Sequence, residues 1–190
     1  MFKIVSKKMF SEKVACFEVE APLIAQSRKA GHFVIVRIDE KGERIPLTIA
    51  DADTEKGTIT LVVQAVGASS TRLNALNAGD ELADVVGPLG HATDIRKYGT
   101  VICCGGGVGV APLLPIVKAM HEAGNKVIVV LAARTKDLII LEDEMRANSD
   151  EVIIMTDDGS YGQKGVVTVG VEQVIQREHV DKCVCFYNFL

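Results

Sequence analysis

The spacing of hydrophobic residues changes near Tyr98-Gly99, about halfway along the 190-residue chain. Before that point, short β-branched and apolar segments are separated by turn-forming Gly, Pro and Asp residues, as is typical of small antiparallel barrels. Only Ser70–Leu76 has helical spacing in this half. The first half therefore predicts a six-stranded antiparallel β-barrel, with strands at Lys3–Phe10, Val14–Glu20, His32–Ile38, Ile45–Ala50, Thr58–Val66 and Leu82–Val86.

Beyond Gly99 the pattern alternates between apolar strands and amphipathic helices. Strands that are apolar on both faces and alternate with helices indicate a doubly wound parallel sheet, a β + α/β organisation for the whole chain. We place the boundary within Gly90–Gly99 and expect domains of residues 1–96 and 97–190. The predicted strands are Thr100–Cys104, Lys126–Ala132, Val152–Thr156 and Lys182–Phe186, and the predicted helices are Ala111–Ala123, Leu138–Ala147 and Val169–Arg177.

Composition excludes several classes of partner. Hydrophobic residues make up 48% of the chain and charged residues 24%, and the formal net charge is −4. This balance supports a packed core and gives no basic surface for nucleic acid or for an anionic membrane. Because the sequence has no apolar run typical of a signal peptide or a membrane span, we expect a cytoplasmic protein.

The five cysteines give no sign of a metal site. They are Cys16, Cys103, Cys104, Cys183 and Cys185, and they form neither a CxxC pair nor a His/Cys cluster with zinc spacing. Each lies in an apolar, strand-like segment, so we expect reduced thiols that pack as small hydrophobic residues. The four histidines likewise form no pairing with a nucleophile or an acid that predicts a catalytic side chain.

A glycine-rich turn follows the first predicted parallel strand. The sequence from Gly105 to Pro112 reads GGGVGVAP, between a strand and a helix. Glycine allows a sharp turn and a close approach to a phosphate, and a helix N-terminus offers free N–H groups to it. The usual GxGxxG pattern is not met, because Gly107 and Gly109 are followed by Pro112, which suits the first turn of a helix. Alone, the turn is explained either by a phosphate site or by tight strand–helix packing.

A barrel-like half followed by G-G-G-x-G-x-A-P resembles the ferredoxin–NADP reductase family. Within it, the likeness is greatest to the small subunit of NADH-dependent ferredoxin:NADP oxidoreductase (sulfide dehydrogenase), and next to the electron-transfer subunit of dihydroorotate dehydrogenase. The resemblance implies FAD on the barrel and NAD(P)H on the α/β domain. It also implies electron transfer from NAD(P)H through FAD to the iron–sulfur centre of a larger redox subunit or a ferredoxin, with chemistry supplied by the cofactors.

The segment Glu43–Ile49 resembles the flavin-binding segment of this family. The resemblance implies that the Thr48 hydroxyl lies near flavin N5 and that Pro46 and Leu47 pack along the isoalloxazine. Arg44, the counterpart of an arginine that contacts the flavin pyrophosphate, stands one residue earlier than in the general pattern. Without the resemblance, the segment is explained equally well as an edge strand with Pro46 at its start.

A second segment resembles the part of the family's site that holds the FAD diphosphate. Hydroxyl and N–H groups at the start of a helix suit a diphosphate, although Ser69 and Ser70 also suit plain helix capping. A G-P-x-G sequence from Gly87 to Gly90 resembles the end of the family's barrel. The implied FAD residues are Val62, Val63, Gln64, Gly67, Ser69, Ser70 and Thr71.

Two further segments resemble the family's nicotinamide nucleotide site. Arg134 and Lys136 follow the second parallel strand, where an arginine can accept a 2′-phosphate. Relatives that look the same here use NADH, so the preference between NAD and NADP stays open. The loop Asp157–Thr168 matches the family's D-D-G-S-x-G-x-x-G-x-V-T. The implied NAD(P) residues are Gly105, Gly106, Gly107, Val108, Gly109, Pro112, Arg134, Asp157, Asp158, Gly159 and Ser160.

The C-terminal segment departs from the family pattern. Tyr187-Asn188 stands about where relatives have Gly-Pro before continuing to a four-cysteine [2Fe–2S] module. Cys183 and Cys185 lack the spacing of cluster ligands, so no iron–sulfur centre is predicted from this chain. We expect a nucleotide domain incomplete at its C-terminus and a chain that could self-associate. A non-catalytic nucleotide-binding or assembly module is the alternative outside the enzyme class.

Overall fold

The computed structural model describes residues 1–187 and contains two separate sheets. The strands of the first sheet all precede Gly90, and the strands of the second all follow Gly99. Contacts divide the chain into the units Met1–Thr93 and Asp94–Leu190. Each unit has its own buried core.

The first unit is a seven-stranded antiparallel sheet with two short helices, which confirms the predicted antiparallel barrel. The strand order is β6-β1-β2-β5-β4-β3-β7. The elements are β1 (Phe2–Ser11), β2 (Val14–Glu20), α1 (Pro22–Ser27), β3 (Phe33–Arg37), β4 (Ile45–Asp53), β5 (Thr58–Gln64), α2 (Ala68–Ala75), β6 (Glu81–Leu82) and β7 (Asp84–Leu89).

The sheet has seven strands rather than six because the last predicted strand divides at Ala83. Leu82 in β6 pairs with Phe2 at one edge of the sheet, and Val85 in β7 pairs with Val36 at the other. Between them, the Ala83 N–H donates to the Ile38 carbonyl at 3.1 Å. The two edge strands of the sheet, β6 and β7, are therefore consecutive in the chain, and the sheet is nearly closed into a barrel.

Helix α1 was not predicted. Its first residue is Pro22, and proline between two strand-like segments is as typical of a turn as of the first position of a helix. The helix has six residues, and it buries Ile24 and Ala25. Six residues are too few for helical periodicity to stand out from the strands around them.

Alternating side chains of the strands fill the barrel. Ile4, Phe17, Val34, Ile59 and Leu61 are each at most 1% exposed. Fully burying an aliphatic or aromatic side chain of this size is worth about 1.5–3 kcal/mol. The inner face of the barrel is thus the stabilising core, and polar residues that alternate with it are left for the outer face.

The second unit confirms the predicted parallel sheet with helices between its strands. Its five strands are all parallel, in the order β11-β10-β9-β8-β12. The elements are β8 (Thr100–Gly106), α3 (Val110–Glu122), β9 (Lys126–Ala133), α4 (Glu142–Ala147), β10 (Glu151–Thr156), β11 (Gln163–Lys164), α5 (Val167–Arg177) and β12 (Lys182–Tyr187), with 3-10 turns at Gly107–Gly109 and Lys136–Leu138.

Helix α4 is shorter than predicted. The apolar spacing of Leu138–Ala147 indicated one helix, but the α-helix begins only at Glu142. Leu141, immediately before it, adopts a left-handed conformation with φ of 58°. A continuous right-handed helix cannot pass through such a residue, which a hydrophobic pattern does not reveal.

Asn125 anchors the start of the second sheet. Its side chain is 5% exposed, and its Oδ1 accepts the Tyr98 and Gly99 N–H groups at 2.6 and 3.1 Å. Its Nδ2 donates to the carbonyls of Arg96 and Met120 at 2.9 and 2.8 Å. One buried amide therefore satisfies backbone groups of the segment that enters β8 and of the end of α3.

We expect Asn125→Ala to lower the free energy of unfolding by about 3 kcal/mol, because it removes four hydrogen bonds between a buried side-chain amide and the backbone. Urea unfolding followed by circular dichroism measures the effect. The control is Asn77→Ala, since Asn77 is exposed and its side chain makes one weak hydrogen bond at 3.4 Å. Equal stability of the two variants would contradict the anchoring role of Asn125.

Candidate functional site

The predicted flavin segment lies on β4, where the strand changes partner. Pro46 and Thr48 pair with β3, whereas Ile49 onward pairs with β5. Leu47 packs with the barrel core. Because side chains alternate along a strand, Pro46 and Thr48 lie on the opposite, outer face. The structure therefore places two of the predicted residues together on the surface and turns the Leu47 side chain inward.

Thr48 presents a partly buried hydroxyl on this outer face. Within residues 1–187, no hydrogen bond from another protein group reaches that hydroxyl. Pro46 beside it is exposed. A half-buried hydroxyl without a protein partner is able to donate or accept a hydrogen bond to a ligand bound against β4.

The β5 residues of the second predicted segment lie on two faces. Val63 is 2% exposed and belongs to the barrel core, whereas Val62 and Gln64 alternate with it on the other face. Gln64 is therefore the residue of this segment whose side chain is accessible outside the barrel, since Val62 is only 8% exposed and Val63 can contribute only its backbone.

Side-chain contacts bring the start of α2 next to the loop before β4. Ser69 Oγ donates to the Glu43 carboxylate, and Arg72 donates to Asp39 at 2.6 Å. The Arg72 side chain, followed by the Lys41 N–H, holds the pKa of Asp39 below its ordinary value. These contacts place Arg44, which is exposed and makes no ion pair with any described residue, close to the predicted diphosphate segment.

Ser70 serves mainly to cap α2. Its Oγ accepts the N–H groups of Val66 and Gly67, both at 3.0 Å, and donates to the Gly67 carbonyl at 3.1 Å. The plain capping alternative therefore describes Ser70. The Thr71 hydroxyl remains available for a ligand, together with N–H groups of the first helical turn, and the Ser69 hydroxyl is available once it leaves Glu43.

Two explanations were open for the glycine turn after β8, a phosphate site and tight strand–helix packing, and they apply to different glycines of the turn. A Cβ on Gly109 would lie 2.7 Å from the Phe186 carbonyl oxygen, and one on Gly105 would lie 3.1 Å from a Leu113 methyl group. Gly107 has φ of +55°, and a Cβ there would meet nothing within 4 Å. Gly105 and Gly109 thus permit tight packing, whereas Gly107 permits the turn and faces open space. Pro112 lies in the first turn of α3, as predicted.

The carboxyl ends of β8, β9 and β10 lie at the same edge of the sheet, because Gly106 pairs with Ala132 and Ala133 pairs with Thr156. The loops that follow are joined there. The Asp158 N–H donates to the Arg134 carbonyl at 3.3 Å. Ligands of open α/β sheets bind at this edge.

Ser160 fixes the loop after β10. Its hydroxyl accepts the Lys136 N–H at 2.9 Å, and its own N–H donates to Asp158 Oδ1 at 2.9 Å. Hydrogen bonds from the Ser160 side chain and then its N–H lower the pKa of Asp158. The predicted residues Arg134 and Asp157–Ser160 are therefore held in one group by backbone and side-chain contacts.

Two residues that support this loop, Thr156 and Tyr161, were not predicted as site residues from the sequence. The buried Thr156 hydroxyl donates to the Tyr161 carbonyl at 2.6 Å and accepts its N–H at 3.1 Å. The Tyr161 ring stacks under Lys136, 5.2 Å from its ammonium, and the Tyr161 hydroxyl donates to Glu142 at 2.9 Å. A single threonine at the end of the apolar strand EVIIMT was the available signal.

In residues 1–187 we find no group of three or more His, Cys, Asp or Glu residues arranged to hold a metal ion. The described helices are also too short or too polar to cross a membrane.

An antiparallel barrel followed by a parallel sheet with a glycine turn defines an oxidoreductase of the flavin- and nicotinamide-binding class. The model of the oxidoreductase FAD-binding domain matches residues 1–93, and that of the oxidoreductase NAD-binding domain matches residues 103–185. The chain belongs to the ferredoxin–NADP reductase-like family of flavoprotein oxidoreductases.

Its relatives include electron-transfer subunits. A Thermotoga maritima homologue of the electron transfer subunit of dihydroorotate dehydrogenase B (NAD(+)) is 46% identical over 181 residues, which cover 95% of this chain and 64% of that protein. The electron transfer subunit of dihydroorotate dehydrogenase B (NAD(+)) from Streptococcus pneumoniae R6 is 33% identical over 177 residues, 90% of this chain and 68% of that protein. The chain thus spans about two thirds of the length of these relatives.

A solved structure of a related protein is also similar to this chain. The NADH-dependent reduced ferredoxin–NADP oxidoreductase, studied for flavin-based electron bifurcation, matches with a TM-score of 0.94 and 41% identity. The match covers 98% of this chain and 67% of that chain. Both predicted likenesses, to this oxidoreductase and to the dihydroorotate dehydrogenase subunit, are confirmed.

We expect Gly107→Ala to weaken NADH binding by about tenfold or more, because its methyl group enters the open space at the turn. The strain at positive φ should cost only about 1–2 kcal/mol of stability. Gly109→Ala should instead lower the unfolding temperature strongly, because its Cβ meets the Phe186 carbonyl. Calorimetric NADH titration and thermal unfolding separate the two effects.

Gly124→Ala is the matched control, since Gly124 also has positive φ and open space but lies in the turn between α3 and β9, away from the carboxyl edge. If Gly107→Ala bound NADH as well as Gly124→Ala, the assignment of Gly107 to the nucleotide site would be wrong.

Proposed function

We propose that this chain is the FAD- and NAD(P)H-binding part of an electron-transfer flavoprotein. In this role it takes electrons from NAD(P)H and passes them to an iron–sulfur protein or to a larger redox subunit. The observation that carries the proposal is that the residues of each cofactor segment converge within their own unit. Glu43, the neighbour of Arg44, contacts Ser69 at the start of α2. Gly107 shares a sheet edge with the joined loops of Arg134 and Ser160.

The residues around β4 and α2 fit FAD. The unpartnered Thr48 hydroxyl suits a polar edge of the isoalloxazine, and the exposed ring of Pro46 offers an apolar surface beside it. The Ser69 hydroxyl and the free N–H groups of α2 suit a diphosphate, with Arg44 as the nearby cation. On binding, Ser69 would exchange Glu43 for a phosphate oxygen.

The carboxyl edge of the second sheet fits a nicotinamide dinucleotide. The space at Gly107, which a Cβ would fill, lies at the N-terminus of α3, where unpaired N–H groups suit a pyrophosphate. Arg134 and Lys136 add positive charge beside the acidic pair Asp157 and Asp158. This mixed charge is compatible with NADH and with NADPH, and we propose that the chain uses one of the two as its electron donor.

In the proposed function, the side chains of this protein bind and orient the cofactors and take no part in the reaction themselves. FAD, when bound, supplies the hydride and electron-transfer chemistry. Thr48 would orient the flavin through its hydroxyl, and the loop fixed by Thr156 and Ser160 would hold the nucleotide in place. Activity as an NAD(P)H-dependent FAD oxidoreductase is therefore the catalytic role that we propose, in the cytoplasm.

A second candidate function is that of the electron-transfer subunit of a dihydroorotate dehydrogenase. The 33% identity to the Streptococcus pneumoniae subunit over 90% of this chain favours it. The two functions share the FAD and nucleotide sites. They differ in the partner protein and in the direction of electron flow, because a dehydrogenase that uses NAD⁺ passes electrons from its substrate to the nucleotide. The proteins that copurify with this chain from its native source therefore discriminate between them.

The proposed function is tested by steady-state assays of the FAD-loaded chain with NADH or NADPH. The acceptors are ferricyanide, which needs no protein contact, and a [2Fe–2S] ferredoxin. We expect ferricyanide reduction with at least one of the nucleotides. Absence of activity with both nucleotides and both acceptors would contradict the proposed enzyme activity, and activity with ferricyanide alone would point to a dedicated partner subunit as acceptor.

We expect Thr48→Val to weaken FAD binding about fivefold, the effect of losing one hydrogen bond worth about 1 kcal/mol. Quenching of flavin fluorescence on titration measures the affinity. Thr54→Val is the control, since Thr54 lies exposed in the turn between β4 and β5. Unchanged FAD affinity and an unchanged flavin spectrum in Thr48→Val would remove Thr48 from the flavin site.

A further inference from the structure

Two side-chain contacts join the loop between β3 and β4 to the first turns of α2. Ser69 Oγ donates to the Glu43 carboxylate, and Arg72 Nη2 donates to Asp39 Oδ2 at 2.6 Å. Asp39 lies near the start of this loop and Glu43 near its end. The loop is therefore attached to the same helix at two points, once through a hydroxyl and once through an ion pair.

Asp39 also shapes the loop itself. Its carbonyl accepts the Gly42 N–H, and its Oδ1 accepts the Lys41 N–H, both at 3.0 Å. Its second carboxylate oxygen is the one that binds Arg72. Hydrogen bonds from Arg72 and then from the Lys41 N–H hold the pKa of Asp39 below its ordinary value, so the carboxylate is charged at neutral pH. One ionised side chain thus links a tight turn of the loop to α2.

The two attachments differ in whether they can persist when FAD binds. The Ser69 hydroxyl belongs to the proposed diphosphate site and has one proton to donate. A phosphate oxygen and the Glu43 carboxylate therefore compete for it, and as two anions they also repel each other. Neither Arg72 nor Asp39 is among the predicted FAD residues, and their opposite charges neutralise each other. The ion pair can therefore remain in place when Glu43 leaves Ser69.

Arg44 is the residue that depends on this difference. It follows Glu43 directly, it is exposed, and it makes no ion pair with any residue in the described part of the chain. Once Glu43 has left Ser69, the contact of Arg72 with Asp39 is the one of the two attachments that still holds the loop against α2. The distance of Arg44 from a diphosphate at the start of α2 then depends on that ion pair.

We propose that the Arg72–Asp39 ion pair positions Arg44 for the FAD diphosphate, and that Glu43 competes with the diphosphate for Ser69. The proposal rests on the proposed function, in which the diphosphate lies at the start of α2 beside Arg44. Both contacts attach the same loop to the same helix. Their removal nevertheless acts on FAD affinity in opposite directions, because one contact supports the bound state and the other must break to reach it.

The first test is a titration of the FAD-free chain with FAD, followed by flavin fluorescence at low ionic strength, where exposed charges are least screened. Arg72→Met should weaken FAD binding about threefold, within the range measured for exposed ion pairs. Glu43→Gln keeps the size of the side chain and removes its charge, so it should tighten binding about threefold. The proposal is wrong if Arg72→Met does not weaken FAD binding or if Glu43→Gln does not tighten it.

Lys56→Met is the matched control for Arg72→Met. Lys56 forms an exposed ion pair with Asp53, 3.0 Å long, at the turn between β4 and β5 of the same unit. Its removal changes the net charge by the same amount and should leave the FAD affinity unchanged. Equal losses of affinity in the two variants would show a general effect of charge and would overturn the positioning role.

The second test separates positioning by Arg72 from direct contact of Arg72 with the diphosphate. Asp39→Asn keeps an acceptor for the Lys41 N–H and removes the charge that attracts Arg72. We expect it to weaken FAD binding as much as Arg72→Met does. If Arg72 bound the diphosphate itself, Asp39→Asn would release Arg72 for that contact and tighten FAD binding, and that result would overturn the proposal.

A double-mutant cycle with Arg44 completes the second test. Arg44→Met should weaken FAD binding about tenfold, the effect of losing a hydrogen bond to a charged group. In the Arg44→Met background, Arg72→Met should have little further effect, because the ion pair acts through Arg44. Unchanged affinity in Arg44→Met, or full additivity of the two substitutions, would overturn the positioning role.

The controls of this cycle distinguish its failure from that of the proposed function. The Arg72 and Asp39 side chains are 57% and 46% exposed, and Glu43 and Arg44 are exposed as well, so all variants should fold. Thermal unfolding establishes that they do. A wild-type chain that binds no FAD would contradict the proposed function, whereas a wild-type chain that binds FAD with variants that fail as stated would contradict only the roles of these residues.

Discussion

The close approach of the turn after β8 to β12 is the constraint on which the second unit depends. Gly109 immediately precedes α3 and lies directly beside the Phe186 carbonyl, and Gly105 lies beneath Leu113 of the same helix. With side chains at these positions, the helix could not pack against β8 and β12 together. The packing in turn places the free N–H groups of α3 at the carboxyl edge of the sheet, next to the joined loops of Arg134 and Ser160. Tight packing and an anion site are thus two results of one turn.

In the first unit, the candidate site depends on the closure of the barrel rather than on a glycine turn. The segment from Glu81 to Leu89 forms both edge strands of the sheet. Because the sheet is thereby nearly closed, the barrel encloses its apolar residues and β4 has a defined outer face. The outer face carries Pro46 and Thr48, and the contact of Ser69 with Glu43 places the start of α2 nearby. The closed barrel therefore gives the proposed flavin residues of β4 a defined outer face, and the contact of Ser69 with Glu43 joins segments that are far apart in sequence.

Most strands and the order of the two units could be predicted from the sequence, because alternation and continuous apolar runs report directly on burial. Features that depend on tertiary contacts could not. The division at Ala83 follows from pairing at two edges, the left-handed Leu141 interrupts a helical pattern, and the inward side chain of Leu47 follows from strand register. The glycine and hydroxyl residues of the candidate site were found through resemblance. The loop support from Thr156 needed coordinates, and so did the exposed positions of Cys183 and Cys185, which were expected to be packed.

We propose that one chain binds FAD and accepts electrons from a nicotinamide nucleotide. The decisive measurement is an anaerobic titration of the FAD-loaded chain with NADH and, separately, with NADPH, followed by flavin absorption. We expect the oxidised flavin bands to be lost in proportion to the added nucleotide for at least one of the two. A chain that binds no FAD, or one whose bound flavin stays oxidised with both nucleotides, would contradict it.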